Sequence, residues 1–293
     1  MTIVLALGAA LAYGAADFLG GLAARTRSAI AVAAVSAGVG IVVFAALALM
    51  IDGRWSGAAI GWGAASGISG MVAVACLYRA LAIGPMVLVA PLTAVVSGAT
   101  PVVWSVVTGT VLGPATVVGL VVVLAGAALI SAVGREGEPR RRGEGARGGL
   151  LLALVAGVLF GILYVSLALA PADSGVVALL ANRVAGLGVL VIALAVRRSL
   201  RRGSDAGRRA AGPGSVTRAG LVMALAVGVL DATANGLYLW AVRGDALAVV
   251  AVIVSLYPAG TIALSALVLR ERIRPLQGVG VALALAGIVV LAV

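Results

Sequence analysis

Apolar residues fill every face of the long segments of this chain, and polar residues gather in short clusters between them. From Ser255 to Val293, two apolar runs flank the cluster Arg270-Glu271-Arg272-Ile273-Arg274-Pro275. A helix on a soluble core shows one apolar stripe and a polar back. A run of about twenty apolar residues is what a helix needs to cross a bilayer. The pattern therefore predicts a membrane hairpin at this end of the chain. Applied throughout, it predicts spans at residues 2–24, 28–51, 58–82, 86–108, 115–133, 150–170, 175–196 and 219–242, followed by the two arms of the hairpin. The first run carries no cation before it, and Arg25 and Arg27 follow it, so it reads as a retained helix and not as a signal peptide.

The pattern repeats. Leu77-Tyr78 stands against Leu237-Tyr238, Gly84 against Gly244, Pro114 against Pro275, and Gly126 against Gly287, with a one-residue slip between Gly84 and Pro114. The expected fold is an all-α membrane protein of ten transmembrane helices in two repeats. The first repeat covers 1–133, a basic linker 134–149, and the second repeat 150–293. With five helices in each, the second repeat enters the membrane upside down relative to the first.

Composition supports lipid as the solvent. The 293 residues are 63% hydrophobic and 11% charged, more apolar surface than a soluble domain of this size can hide. The net charge of +11 raises the question of nucleic acid, but no basic patch with interleaved aromatics is present, and nucleic acid is not expected as a partner. The cations follow topology instead. Loops after odd-numbered spans hold Arg25, Arg27, five Arg of the central linker, seven from Arg197 to Arg218, and Arg270, Arg272 and Arg274. Loops after even-numbered spans hold only Arg54 and Arg243. The positive-inside rule puts the odd side in the cytoplasm and both termini outside, in the plasma (inner) membrane.

All 21 basic residues are Arg, and there is no His. This excludes a Ser-His-Asp triad, a His-ligated metal, a Walker lysine and a Schiff base. Neither cofactor nor metal is expected, nor an enzyme. The lone Cys76 cannot form an internal disulfide and reads as helix packing. Gly63 and Gly67, and Gly157 and Gly161, have the small-xxx-small spacing of close helix contacts. Trp55, Trp62, Trp104 and Trp240 read as interfacial anchors.

A charge within hydrocarbon is costly unless it is paired or faces water, which marks Asp17, Arg183 and Asp231. Asp231, Asn235 and Tyr238 share a helix face, and Tyr13 lies one turn from Asp17. Arg183 and Asp231 are expected to face a shared polar cavity near the midplane, with Asn235, Tyr238 and Tyr13 close by and Asp17 on the cavity's cytoplasmic side. Arg183 with Asp231 is either a structural ion pair or part of a substrate or proton site. Tyr257-Pro258 marks a kink, with Tyr257 a further candidate for the cavity wall. Glu271 reads as a boundary charge among arginines.

Gly14 and Phe18 of the first helix, the hairpin residues Pro258, Glu271, Pro275, Gln277, Gly280 and Gly287, and the first-half Pro85, Pro101, Pro114 and Gly126 resemble the EamA-type ten-helix members of the drug/metabolite transporter superfamily. Thr110 stands where that family often has the acid matching Glu271. The resemblance implies a secondary carrier, usually an exporter, of small metabolites, amino acids or drugs. Asp17 is similar in position to the first-helix acid that carries the coupling proton in small multidrug resistance proteins; the plainer alternative is a polar residue bonded to the other half. Expected partners are a small-molecule substrate, the bilayer and a coupling proton, in a monomer or weak homodimer. Rival readings are a lipid-carrier flippase of the same fold, a membrane-embedded enzyme and a non-transporting scaffold. The first would show a cavity open sideways to lipid, the second a polar catalytic cluster, the third no polar cavity.

Overall fold

A computed structural model of the chain describes residues 1–26, 29–83, 86–132, 144–202, 218–244, 247–268 and 274–292. The described residues are helical almost throughout. The helices are α1 (Thr2–Thr26), α2 (Ala29–Met50), α3 (Gly57–Ile83), α4 (Met86–Val107), α5 (Pro114–Ala132), α6 (Glu144–Ala168), α7 (Val177–Arg202), α8 (Arg218–Gly244), α9 (Leu247–Val254), α10 (Tyr257–Val268) and α11 (Pro275–Ala292). A 3-10 turn, Ala172–Ser174, joins α6 to α7. Helix is the form that satisfies every backbone group within its own segment, and hydrocarbon offers those groups no other partner.

Seven spans are long and apolar enough to cross a membrane unaided, and the shorter apolar helices Leu92–Val107, Pro114–Ile130 and Pro275–Leu291 bring the spans to ten. Val42, Ile192 and Val289 are each more than 60% exposed, the outward surface of a protein dissolved in lipid.

Two boundaries differ from the sequence pattern. Helix α6 begins at Glu144, ahead of the expected 150, and carries part of the linker as helix. The ninth span runs Leu247–Val268 and does not start at Ser255; it breaks at Ser255-Leu256 into α9 and α10. Pro258 explains the break. It has no N–H for the carbonyl of Val254 and its ring crowds that carbonyl, so α9 stops there, while a proline is well tolerated in the first turn of α10. Residues 133–143 of the linker, together with Arg270, Glu271 and Arg272, lie outside the described residues.

The principal helix contacts between the two repeats recur when the repeats are exchanged. Helix α1 packs on α8 as α6 packs on α3, α2 on α8 as α7 on α3, and α1 on α10 as α6 on α4; the pairs α2–α7, α4–α9 and α5–α11 are their own counterparts. Small residues allow these approaches. A Cβ on Gly14 would sit 2.5 Å from the carbonyl oxygen of Tyr257 and 2.8 Å from Cα of Gly260, so α1 and α10 meet backbone to backbone. Gly63 and Gly67 face Ala178 and Asn182 of α7, and Gly157 and Gly161 face α4 at Val96 and Thr100, as their spacing predicts.

Alternating spans define two faces. The terminal face carries the chain ends; there Gly244 meets Thr2, and Gly53 meets Ser174. The linker face carries the opposite helix ends, including Ile83 beside Gly148. Trp55, Trp62, Trp104 and Trp240 are partly exposed and all stand toward the terminal face.

Candidate functional site

A cavity of about 740 Å³ lies between the two repeats. Helices α1 to α4 supply one wall and α6, α7, α8 and α10 the other. Its lining reaches Gly20, Val32 and Leu77, near the linker-face ends of their helices. Toward the terminal face it is shut. Tyr164 and Tyr238 pack ring against ring with centroids 4.9 Å apart, and the Tyr238 hydroxyl donates to the carbonyl of Tyr164 over 2.8 Å. Beyond them lie Ala248 to Val254 of α9, all buried.

A latch closes this end further. Arg243, at the end of α8, donates through Nη2 to the carbonyls of Pro171 and Gly175 and to Oγ of Ser174. Gly175 has φ of +54°, a backbone that L side chains resist, and it lets the α6–α7 connection fold against Asp52 and Gly53. The Arg54 N–H donates to the Asp173 carbonyl, tying the α2–α3 loop to the same turn.

Three charged residues line the cavity: Asp17, Arg183 and Asp231. Arg183 and Asp231 form an ion pair, Nη1 to Oδ2, over 2.5 Å, with a longer bond from Nη2 to the Asp231 carbonyl. Helix α2 lies against both α7 and α8, so the guanidinium must pass over it. Gly40 is the notch that allows this, since a Cβ there would fall 2.8 Å from Cδ of Arg183. Phe44, one turn on, places its ring centroid 5.9 Å from the guanidinium carbon, a cation–π distance. Nε of Arg183 is buried without a hydrogen-bond partner. Asn235 completes the pair, donating from Nδ2 to both the carbonyl and Oδ1 of Asp231.

Of the residues singled out from sequence, Tyr13, Asp17, Arg183, Asp231, Asn235 and Tyr257 all line the cavity. Tyr238 does not. It is fully buried in the terminal-face plug, although it shares a helix face with Asp231. Its seven-residue offset carries it about 10 Å along the axis, past the cavity and under α6. Tyr257 lines the cavity at the first residue after the break, where α10 begins.

Sequence reasoning passed over several wall residues. Asn182 donates from Nδ2 to Oγ of Ser66 over 2.7 Å, and Ser66 donates in turn to the Gly63 carbonyl. Ser36, Ser97, Phe160 and Tyr164 also line the space. Small hydroxyl residues are common in membrane helices, where they bond back to their own backbone. The nearest signal was Asn182 beside Arg183 in an apolar run.

A bundle of ten spans closed around an internal, polar-studded cavity at the junction of two repeats has the build of a multi-pass membrane carrier. The chain belongs to the EamA-like transporter family, whose model matches residues 1–132 and 147–293. It is thus a membrane transporter of the drug/metabolite transporter superfamily. A solved crystal structure at 16% identity superposes with a TM-score of 0.73, covering 99% of this chain and 95% of that one, a likeness of fold. No curated protein matches.

Proposed function

We propose that this protein is a secondary active transporter that exports a small metabolite, amino acid or drug by alternating access. The observation that carries this reading is the cavity between the repeats, reached from the linker face and plugged toward the terminal face. Rocking of the repeats would open the terminal face and close the other, carrying the solute with it. Tyr13, Asp17, Arg183, Asp231, Asn235 and Tyr257 form the binding wall. Asp17 and Asp231 are the carboxylates available to a coupling proton. The arginine asymmetry supports a cytoplasmic linker face and external termini in the plasma membrane.

Purified protein in liposomes, offered a panel of small solutes with and without a pH gradient, tests the activity. Saturable movement of at least one solute is expected, and no movement of any would overturn the reading. Orientation is tested in a Cys76→Ser background. An impermeant thiol reagent on intact cells should label Val111→Cys, which is 94% exposed on the terminal face. Labelling of Arg147→Cys instead would reverse the assignment.

A further inference from the structure

The tyrosine of the terminal-face plug has a counterpart in the other repeat, but the arginine of the latch does not. Exchange of the repeats sets Tyr238 against Tyr78 and Gly244 against Gly84, so Arg243 falls against Ile83, a side chain with nothing to donate. The acceptors differ as well. Gly14 of α1 meets Gly260 as Gly161 of α6 meets Thr100, and Thr100 and Gly260 stand at the same offset as Gly84 and Gly244. Gly14 therefore corresponds to Gly161, and Ala24 to Pro171. Ala24 lies within α1, which runs on to Thr26, whereas Pro171 precedes the 3-10 turn that offers its acceptors to Arg243.

The latch joins parts that must separate. Arg243 stands near the end of α8, which packs on α1 and α2; its acceptors lie between α6 and α7, which both pack on α3. The cavity lies between these two groups of helices. Opening it to the terminal face parts them there and breaks all three bonds of Arg243, together with the bond from Tyr238 to Tyr164. Hydrogen bonds from a charged donor are stronger than neutral ones, so the latch favours a closed terminal face. It is also built to be released. Nε of Arg243 is buried with no hydrogen-bond partner among the described residues, and opening returns that group to water.

Two states related by an exchange of inverted repeats are equal in energy only where the repeats are equal. Resting on the transporter reading, we propose that Arg243 is a one-sided latch: it holds the resting carrier open to the linker face, its counterpart Ile83 cannot do the same for the other state, and its release from the α6–α7 turn sets how often the terminal face opens.

The test reads both faces through distances between paired nitroxide labels on the full chain in liposomes, in a Cys76→Ser background. Val4→Cys with Leu169→Cys spans the two helix groups at the terminal face, and Val222→Cys with Arg79→Cys spans them at the linker face; all four positions are exposed. In Arg243→Ala the longer terminal-face distance should gain population at least about fivefold, and a shorter linker-face distance should gain with it. Arg243→Lys, which keeps the charge but not the planar fork, should lie between this variant and the parent. Ser174→Ala removes one acceptor of the three and should shift both pairs the same way by less; it decides the matter if Arg243→Ala does not stay monodisperse. Distance populations that match the parent at both faces would overturn the proposal. A terminal pair that lengthens while the linker pair stays fixed would show that Arg243 only pins its turn, so the latch falls and the transporter reading stands. If the parent moves no solute of the liposome panel, the transporter reading itself falls and takes this inference with it.

Discussion

Replacing Arg183, Asp231 or both with leucine separates the worth of the ion pair from the cost of breaking it. The Arg183 side chain is 12% accessible and that of Asp231 26%, so solvent screens neither fully. Removing one partner of a buried pair costs about 3–5 kcal/mol, because the other charge is left uncompensated. The two single variants should not be equal. After Arg183→Leu, Asp231 keeps the amide of Asn235 and faces the cavity, which places the loss near 3 kcal/mol. After Asp231→Leu, the guanidinium keeps only the Phe44 ring and the long bond to the backbone carbonyl of residue 231, and its Nε already lacks an acceptor, so the loss should approach about 5 kcal/mol. The double variant removes both charges and should lie within about 1 kcal/mol of the parent. The assay is the temperature at which detergent-purified protein loses its monodisperse peak on fluorescence-detected size exclusion. The expected order of melting is parent and double variant highest, Arg183→Leu below them, and Asp231→Leu lowest. A double variant as labile as the two single losses combined would refute this, since it would mean that each residue stabilises the bundle through other contacts. Transport by the double variant then separates the two roles. A purely structural pair leaves transport near the parent value, whereas a binding pair abolishes it in protein that still folds.

Gly14→Val should force α1 and α10 apart and break the bond from the Thr261 hydroxyl to the Gly14 carbonyl, costing on the order of 1–3 kcal/mol in the same melting assay; an unchanged melt would show that the two backbones are not in contact. Tyr238→Phe should cost about 1 kcal/mol through loss of its bond to Tyr164 and leave solute affinity within twofold, because Tyr238 sits outside the cavity wall. A tenfold loss of affinity there would return it to the site. Arg243→Ala should speed amide hydrogen exchange across residues 170–176 several-fold, since three acceptors lose their donor. Exchange unchanged from the parent would show that Gly175 and the Asp52–Arg54 loop hold the turn by themselves.

Much of this protein was determined by its sequence, for reasons particular to membranes. A segment that must satisfy its own backbone in hydrocarbon has to be a helix, so apolar length alone placed the ten spans. Repeated glycines and prolines, such as Gly84 with Gly244 and Pro114 with Pro275, located the two units. The small-residue spacing in α3 and α6 located two helix contacts. The direction each helix faces was a different matter. Segments that are apolar all round have no polar back to turn outward, so their sequence does not say which side meets lipid and which meets protein. For that reason Tyr238 could be placed on the right helix face and still lie outside the cavity. The pairing of charges was equally hidden. The two acids and one base that line the cavity permit either acid to hold Arg183, and only the path over Gly40 of α2 decided for Asp231 and left Asp17 alone. The start of the ninth span was obscured by Pro258, whose kink looks from sequence like a helix end and in the fold joins two halves of one crossing. Sequence fixes which residues lipid must exclude, but their partners come from helices brought together by packing across the two repeats.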